Sequence, residues 1–373
     1  MAYIHELSDW PGFRWRAEAL EGALGEASFR LGRFLGRLED IGFALRGEAG
    51  AEAMSGEIVA SAEIEGETLN RADVRSSVAR RMEVTLPGVE RGGSRESEAR
   101  AELMLDATRH WEMPLTRERL ASWHAALFPS GWSGLRRIRT GKYRKDAEVP
   151  MQVVSRHGVG ERVHFEAPPA ARVQGEMESF LGWVNGDNGG TPTLVRAALA
   201  HLRFLTIHPF EDGNGRLARA VTEWLLARGE RSGMRFYSMS ARIQKEKEDY
   251  YRELETAQRG TMDATRWVLW FTGCHTRAVA DAEARLAGIF RKAGFWRRHA
   301  EAGFNAHQRE MLNRLLDGFK GHLTSSKWAK ICKVSQDTAA REINLLVTEG
   351  VLTRQGGGRS THYVLSETAK QEP

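Results

Sequence analysis

Residues 208–219 read HPFEDGNGRLAR, and the preceding residues 193–207, TLVRAALAHLRFLTI, are apolar on nearly every side. Such an all-round apolar helix belongs in a domain interior. Pro209 disfavours helical geometry at His208, so the chain leaves the helix there and presents the imidazole in a loop that Phe210 anchors in the core. Gly213, Asn214 and Gly215 can turn several backbone N–H groups toward one point, and GRLARAVTEWLLA begins a new helix at once. Backbone donors at a helix N-terminus make an anion site suited to phosphate. Arg216 and Arg219, three apart, share a helix face from which two guanidinium groups can clamp neighbouring phosphates. Asp212 adds a hard oxygen of the kind through which magnesium is held together with substrate phosphates. With a histidine able to take a proton near neutral pH, the stretch is equipped for phosphoryl or nucleotidyl transfer, chemistry that rests on positioning and charge stabilisation. Each piece alone is common in proteins; the fixed spacing of all of them carries the reading.

The surrounding chain sets bounds on that site. A length of 373 residues with 41% hydrophobic content buries at least one sizeable core and suggests two or three domains. The net charge of +5 mildly favours anionic partners without identifying one. Two cysteines, Cys274 and Cys332, exclude a disulfide framework or a cysteine-built zinc site within one chain. His201 and His275 lack partners at ligand spacing and read as packing groups. With neither a basic leader followed by an apolar run nor about 18 uninterrupted apolar residues, the expectation is a cytoplasmic protein with no membrane partner.

Residues 14–40 place Leu31, Phe34, Leu35 and Leu38 on one side of an amphipathic helix. A second helical segment is expected over GEIVASAEIEGETLNRADV, residues 56–74, and PGVERGGSRESE at 87–98 breaks the pattern. From about 100 to 290 the chain reads as helical except for residues 149–168, VPMQVVSRHGVGERVHFEAP, whose β-branched runs flank a glycine turn and predict a β-hairpin. The expected divisions are 1–95, 96–295 and 296–373. In the last, residues 323–365 divide into a helix around Trp328 to Ile331, a second helix capped by Ser335, and two strands around QGGGRS.

HPFEDGNGRLAR resembles the signature of the Fic family, with every fixed position filled. The flanks agree: GKYRK from Gly141, the hairpin, Pro168 with Pro169, and the pair Tyr250 and Tyr251 follow in the order such proteins show. Residues 3–15, YIHELSDWPGFRW, resemble a leader attached to some bacterial members. The resemblance implies a mainly α Fic-type helical bundle with a hairpin flap, and transfer of AMP from ATP to a hydroxyl of a target protein or of the chain itself. By position it makes His208 the base, Asp212 the Mg2+ ligand, Gly213, Asn214 and Gly215 the anion hole, and Arg216 and Arg219 the β- and γ-phosphate contacts. Tyr250 and Tyr251 are candidates for the adenine pocket. Met151, Gln152, Val153 and Val154 form a candidate flap edge able to pair with an extended target segment.

Upstream, SAEIEG places Ser61 and Glu65 four apart on the expected helix. With Gly66 they resemble the inhibitory helix of Fic proteins in which the glutamate pairs with the second motif arginine, here Arg219, and keeps ATP from docking its γ-phosphate. Residues 296–373 resemble a winged helix-turn-helix, a module that binds DNA or docks proteins, and Lys327, Lys330, Lys333, Arg354 and Arg359 outnumber the nearby acids. A rival reading follows: a DNA-binding regulator whose Fic-like core only senses nucleotide. Homodimerisation is left open.

Overall fold

The structure, a computed structural model, describes residues 2–86, 92–145, 150–157, 160–186 and 189–366. The break expected at 87–98 falls partly outside them, as do Val149 and the hairpin's turn. The elements run α1 (Ala17–Glu39), α2 (Phe43–Ile64), α3 (Arg71–Met82), α4 (Arg95–Arg109), α5 (Arg117–Leu127), β1 (Trp132–Ser133), β2 (Arg136–Arg137), β3 (Gln152–His157), β4 (Gly160–Glu166), α6 (Ala170–Asn185), α7 (Thr193–Ile207) and α8 (Asn214–Glu230). They continue with α9 (Met239–Lys245), α10 (Lys247–Gln258), α11 (Thr265–Arg298), α12 (Ala306–Leu316), α13 (Ser325–Cys332), α14 (Gln336–Thr348), β5 (Leu352–Gln355) and β6 (His362–Leu365). The three sheets among the described residues are each two-stranded and antiparallel. No helix among the described residues is long and apolar enough to cross a membrane.

By packing, residues 1–33 and 44–282 make one unit, while 34–43 and 283–373 make a second. The first unit therefore holds α2, α3 and all of the 208–219 stretch. At its centre runs α7, in which Val195, Ala197, Ala198, Ala200, Phe204 and Ile207 are completely buried. Helix α8 packs along it and contributes Leu217, Ala218, Ala220, Val221 and Trp224, all without exposed surface. Each of the buried valine, leucine, isoleucine and phenylalanine side chains stabilises the fold by about 1.5–3 kcal/mol, so both ends of the loop joining α7 to α8 are held by rigid elements. Ser94, Thr116 and Asn70 accept hydrogen bonds from the first-turn N–H groups of α4, α5 and α3.

The helix expected over 56–74 is two helices. After Ile64 the N–H of Gly66 reaches Glu63 O and that of Glu67 reaches Ala62 O, both at 3.0 Å, with Gly66 at φ +78°. That is the bonding of a Schellman stop. The next helix begins only at Arg71, capped by Asn70. Ser61 is thus helical, whereas Glu65 caps the end of α2, and helical spacing does not govern where it points.

The second unit packs Met311, Leu312, Trp328, Ala339, Ile343, Leu346, Val351 and Leu365 into its own core. Three helices and a two-stranded hairpin follow one another here, and Leu323 bridges to Tyr363 on the hairpin's free side. Ser335 caps α14 as its position suggests, accepting from Thr338 N at 3.1 Å.

Candidate active site

His208 ends α7 in the left-handed region, φ 51° and ψ 59°, which takes the residue before Pro209 out of right-handed helical geometry and swings the imidazole out of the helix. The side chain of Arg144, in the GKYRK segment, fixes that turn: Nε donates to His208 O at 2.8 Å and Nη2 to Pro168 O. Its backbone N–H donates to Pro209 O at 2.9 Å. Nδ1 of His208 lies 3.3 Å from Leu205 O, and since a carbonyl only accepts, Nδ1 carries the proton and Nε2 keeps its lone pair. Burial lowers the imidazole pKa to about 4, against a raising influence from the Leu205 carbonyl, and the nearby Arg144 lowers it further. The ring is therefore neutral at pH 7 and in the form that accepts a proton.

Phe210 is 1% exposed and stacks on His124 with centroids 4.3 Å apart. Nδ1 of His124 accepts from Gly141 N at 2.8 Å, so Nε2 bears the proton and donates to Asp212 O at 3.2 Å. Burial holds His124 down to about 4 as well, and this neutral tautomer braces the loop from α5. The Asn214 side chain closes the loop: Phe210 N donates to its Oδ1 at 2.9 Å and its Nδ2 donates to Phe210 O at 2.8 Å. Asn214 thus lends only its backbone to an anion. Gly213, at φ +79°, permits no substituent, since a Cβ there would stand 2.9 Å from the Phe128 ring. The first bond inside α8 is Leu217 N to Gly213 O, which leaves the N–H groups of Asn214, Gly215 and Arg216 at the open end of the helix.

Both motif arginines are already engaged. Arg219, 2% exposed, donates from Nε to Ser61 Oγ at 2.9 Å and from Nη2 to Ser61 O and to Glu65 Oε1, each at 2.8 Å. Desolvation would lower its pKa, but the Glu65 carboxylate together with Tyr250 and Tyr251 outweighs this and the guanidinium is held above its ordinary value. The carboxylate lies directly on the loop, for a Cβ at Gly215 would be 2.0 Å from Glu65 Oε1. Arg216, 4% exposed, is ion-paired through Nη1 with Glu67, while Nη2 meets Asp212 Oδ1 at 3.1 Å and its plane lies over Phe128. The other oxygen of Glu67 is 2.8 Å from Arg100 Nη2 on α4.

Glu67, Arg100, Arg144 and His124 were not singled out from the sequence. Glu67 stands two residues beyond Glu65, a separation that faces neither residue with the other on a helix. Only the left-handed Gly66 between them turns both acids toward α8.

Asp212 accepts from Ser133 Oγ, from Gly213 N and from Arg216. Among the described residues no three His, Cys, Asp or Glu side chains converge as a metal cage. A lone, 40% exposed carboxylate fits magnesium that arrives with a nucleotide and takes its other ligands from phosphate and water. The tyrosine pair separates. Tyr250 is 2% exposed with its hydroxyl 2.9 Å from His201 Nε2, so it offers no open face for a base. Tyr251 is 39% exposed, its hydroxyl 3.4 Å from Ile64 O and its pKa pushed up to about 12 by burial of the ring's inner side. His201 and His275 are packing groups, hydrogen-bonded to Thr222, Tyr250 and Tyr237.

In the flap, Gln152, Val153 and Val154 lie on β3, with a bulge between the two valines, and Met151 just precedes it. Strand β4 is fastened from behind: Arg259 donates to Val163 O and His164 O, and Glu255 of α10 holds Arg162 and His164. The leader packs on it as well, Tyr3 against Phe165 and His5 Nε2 2.9 Å from Glu166 O. Strand β3 is left as the outer edge, and Val154 is 40% exposed.

Residues 114–226 match the Fic/DOC family, and residues 3–84 match a domain of unknown function, DUF4172. The chain is 35% identical over 105 residues to a protein named Protein adenylyltransferase Fic from Culex quinquefasciatus, covering 28% of this chain and 19% of that protein. It is 32% identical over 119 residues to the protein of the same name from Nematostella vectensis, 31% and 26% of the two chains. A Uridine 5'-monophosphate transferase from Xanthomonas campestris pv. campestris is 35% identical over 69 residues, 16% and 12%. The chain thus spans between about a tenth and a quarter of these relatives' lengths. Among solved structures, a Fic family protein from Desulfovibrio desulfuricans G20 superimposes with a TM-score of 0.56 at 23% identity, covering 94% of this chain and 96% of that one, a likeness of fold.

Proposed function

We propose, on the premise that residues 114–226 match the Fic/DOC family, that the chain is a protein adenylyltransferase held in check by two acids at the end of α2. The carrying observation is the junction of α7 and α8, where a neutral histidine with a free Nε2 lone pair faces the open N-terminus of a helix bearing Arg216 and Arg219. Nε2 of His208 takes the proton of a Ser, Thr or Tyr hydroxyl on the target. The hydroxyl oxygen bonds to the α-phosphorus of ATP, the bond from that phosphorus to the β-bridging oxygen breaks, and pyrophosphate leaves. The N–H groups of residues 214–216 and the two arginines receive the phosphates. Magnesium, held by Asp212 and the phosphates, would neutralise charge on the leaving group. Tyr251, the exposed member of the pair, would border the adenine, and β3 would align an extended target segment.

Restraint follows from occupancy. A phosphate reaching Arg219 must displace Glu65, and one reaching Arg216 must displace Glu67, because each carboxylate takes the donors that the phosphate needs. Ser61 fixes the Arg219 plane, and Gly66 sets both acids at the site.

The test is labelling with ATP carrying radioactive α-phosphate, with labelled UTP in parallel, on wild type, Glu65→Gly and Glu65→Gly/His208→Ala. Label that survives denaturation, rises with Glu65→Gly and vanishes with His208→Ala is the expected result. A nucleotide bound reversibly by Glu65→Gly without covalent label would sink the enzymatic reading in favour of a nucleotide sensor.

A further inference from the structure

A second collection of cations, independent of the phosphate clamp, lies in the other unit. Residues 318–366 carry seven lysines and arginines against three acids, while the whole chain is only +5, so most of its excess charge is concentrated in this part of the sequence. Of the three acids, Glu342 is turned inward: Trp328 Nε1 and Asn305 Nδ2 donate to it at 2.8 and 2.9 Å, and His307 Nδ1 is 3.0 Å away. Burial would raise its pKa, yet these hydrogen bonds hold it below the ordinary value, so its charge is spent inside. Asp337 and Glu349 remain at the two ends of α14.

The cations face outward. Lys327 and Lys330, three apart on α13, Lys333 in the turn, Arg341 on α14 and Arg354 on β5 are all exposed. None of the five is held by a carboxylate among the described residues. Buried Ala339, Ile343 and Leu346 fasten the inner side of α14 to the core; Asp337, one turn before Arg341, is exposed beside it, and so are the guanidinium and amide side chains of Arg341, Asn344 and, at the helix start, Gln336. These are the side-chain types that pair in two-point fashion with base edges, arginine with guanine and the amides with adenine. Ala340, between them, keeps that side narrow. Strand β5 runs directly after α14 and packs against it, carrying Arg354 alongside.

We propose that this face docks on duplex DNA, with α14 entering the major groove and Lys327, Lys330, Lys333 and Arg354 neutralising phosphates on either side. The assignment stands apart from the nucleotidyl-transfer reading, since none of its residues belongs to that site.

The experiment uses the full-length protein and a fluorescent random-sequence duplex pool of about 30 base pairs, with retention measured from about 50 to 200 mM salt. Four neutralised phosphates predict a fall in affinity of about 100-fold over that range. Lys330→Gln with Lys333→Gln should reduce the log–log salt slope by about two, and Arg341→Ala should weaken any selected sequence by about tenfold or more while relaxing its preference. Unchanged melting and unchanged protein labelling by these variants show that the fold is intact. Failure of the wild type to retain duplex at low salt, or retention that the folded variants leave unaltered, overturns the proposal. The former outcome would assign the face to a protein partner centred on Leu345, which is 49% exposed on α14.

Discussion

Two groups of cations in this chain are built in opposite ways. Around α8 the guanidinium groups of Arg216 and Arg219 are almost wholly buried, and each is met by a carboxylate from the end of α2. On α13, α14 and β5 the cations are exposed and no carboxylate among the described residues holds them. A buried cation paired with a carboxylate is a site of competition, because any anionic ligand must replace the acid already present and salt scarcely screens the exchange. An exposed, unpaired cation is a steering charge that mobile ions weaken readily.

The units also differ in their histidines, and acid should expose that difference most strongly. His124, His201 and His275 are buried in the first unit, where burial depresses their pKa to about 4, 3 and 3. A depressed histidine leaves stability intact above its unfolded pKa near 6.5 and removes it as pH falls toward the folded value. Between pH 6.5 and 4 the first unit should lose on the order of several kcal/mol. In the second unit His299 and His307 are only partly buried and His322 is exposed, so its amides should keep their hydrogen-exchange protection to lower pH. Simultaneous loss in both units would break this distinction.

Next in size is the base. His208→Ala, made in the Glu65→Gly background, should reduce covalent labelling by about 10²- to 10⁴-fold, with the melting temperature little changed. Retention of more than a tenth of the rate would remove His208 from proton transfer.

The acids themselves sharpen the contrast. Glu65→Gly removes a charge-assisted hydrogen bond to a buried guanidinium, a contact worth about 1.5–3 kcal/mol, so labelling should rise by about 10- to 100-fold at limiting ATP. Glu67→Gln should add a smaller gain, about 3- to 10-fold, because Arg216 keeps Asp212 and one neutral hydrogen bond to the amide. A fall in labelling instead would mean that Glu67 positions Arg216 and does not obstruct it. The smallest effect should be that of salt on the Glu65→Gly rate, less than about twofold across the range that abolishes DNA retention.

Much of the site was legible because its signals are local. The apolar run before His208, the proline after it, the glycines and the arginines at i and i+3 each constrain their own neighbourhood, and the structure brings them together on one junction. Less legible were groups whose partners are remote in sequence. Arg144 reaches His208 across 64 residues and Glu67 reaches Arg216 across 149. The expected 56–74 helix stops at Gly66, where a left-handed glycine interrupts the helical periodicity. Tyr250 and Tyr251 carry identical side chains on one helix, yet one is core and the other surface, a difference fixed by which side α7 and α11 cover.

The sequence by itself determined the helical character of the first unit, the loop that frees an imidazole, and the helix that starts directly after it, because backbone conformation and side-chain chemistry act over a few residues. Tertiary structure alone decided that both arginines are already occupied, that Asn214 serves the loop with its side chain, and that Glu342 withdraws its charge from a basic surface. Those outcomes depend on burial and on distances between remote segments, which exist only once the chain has packed.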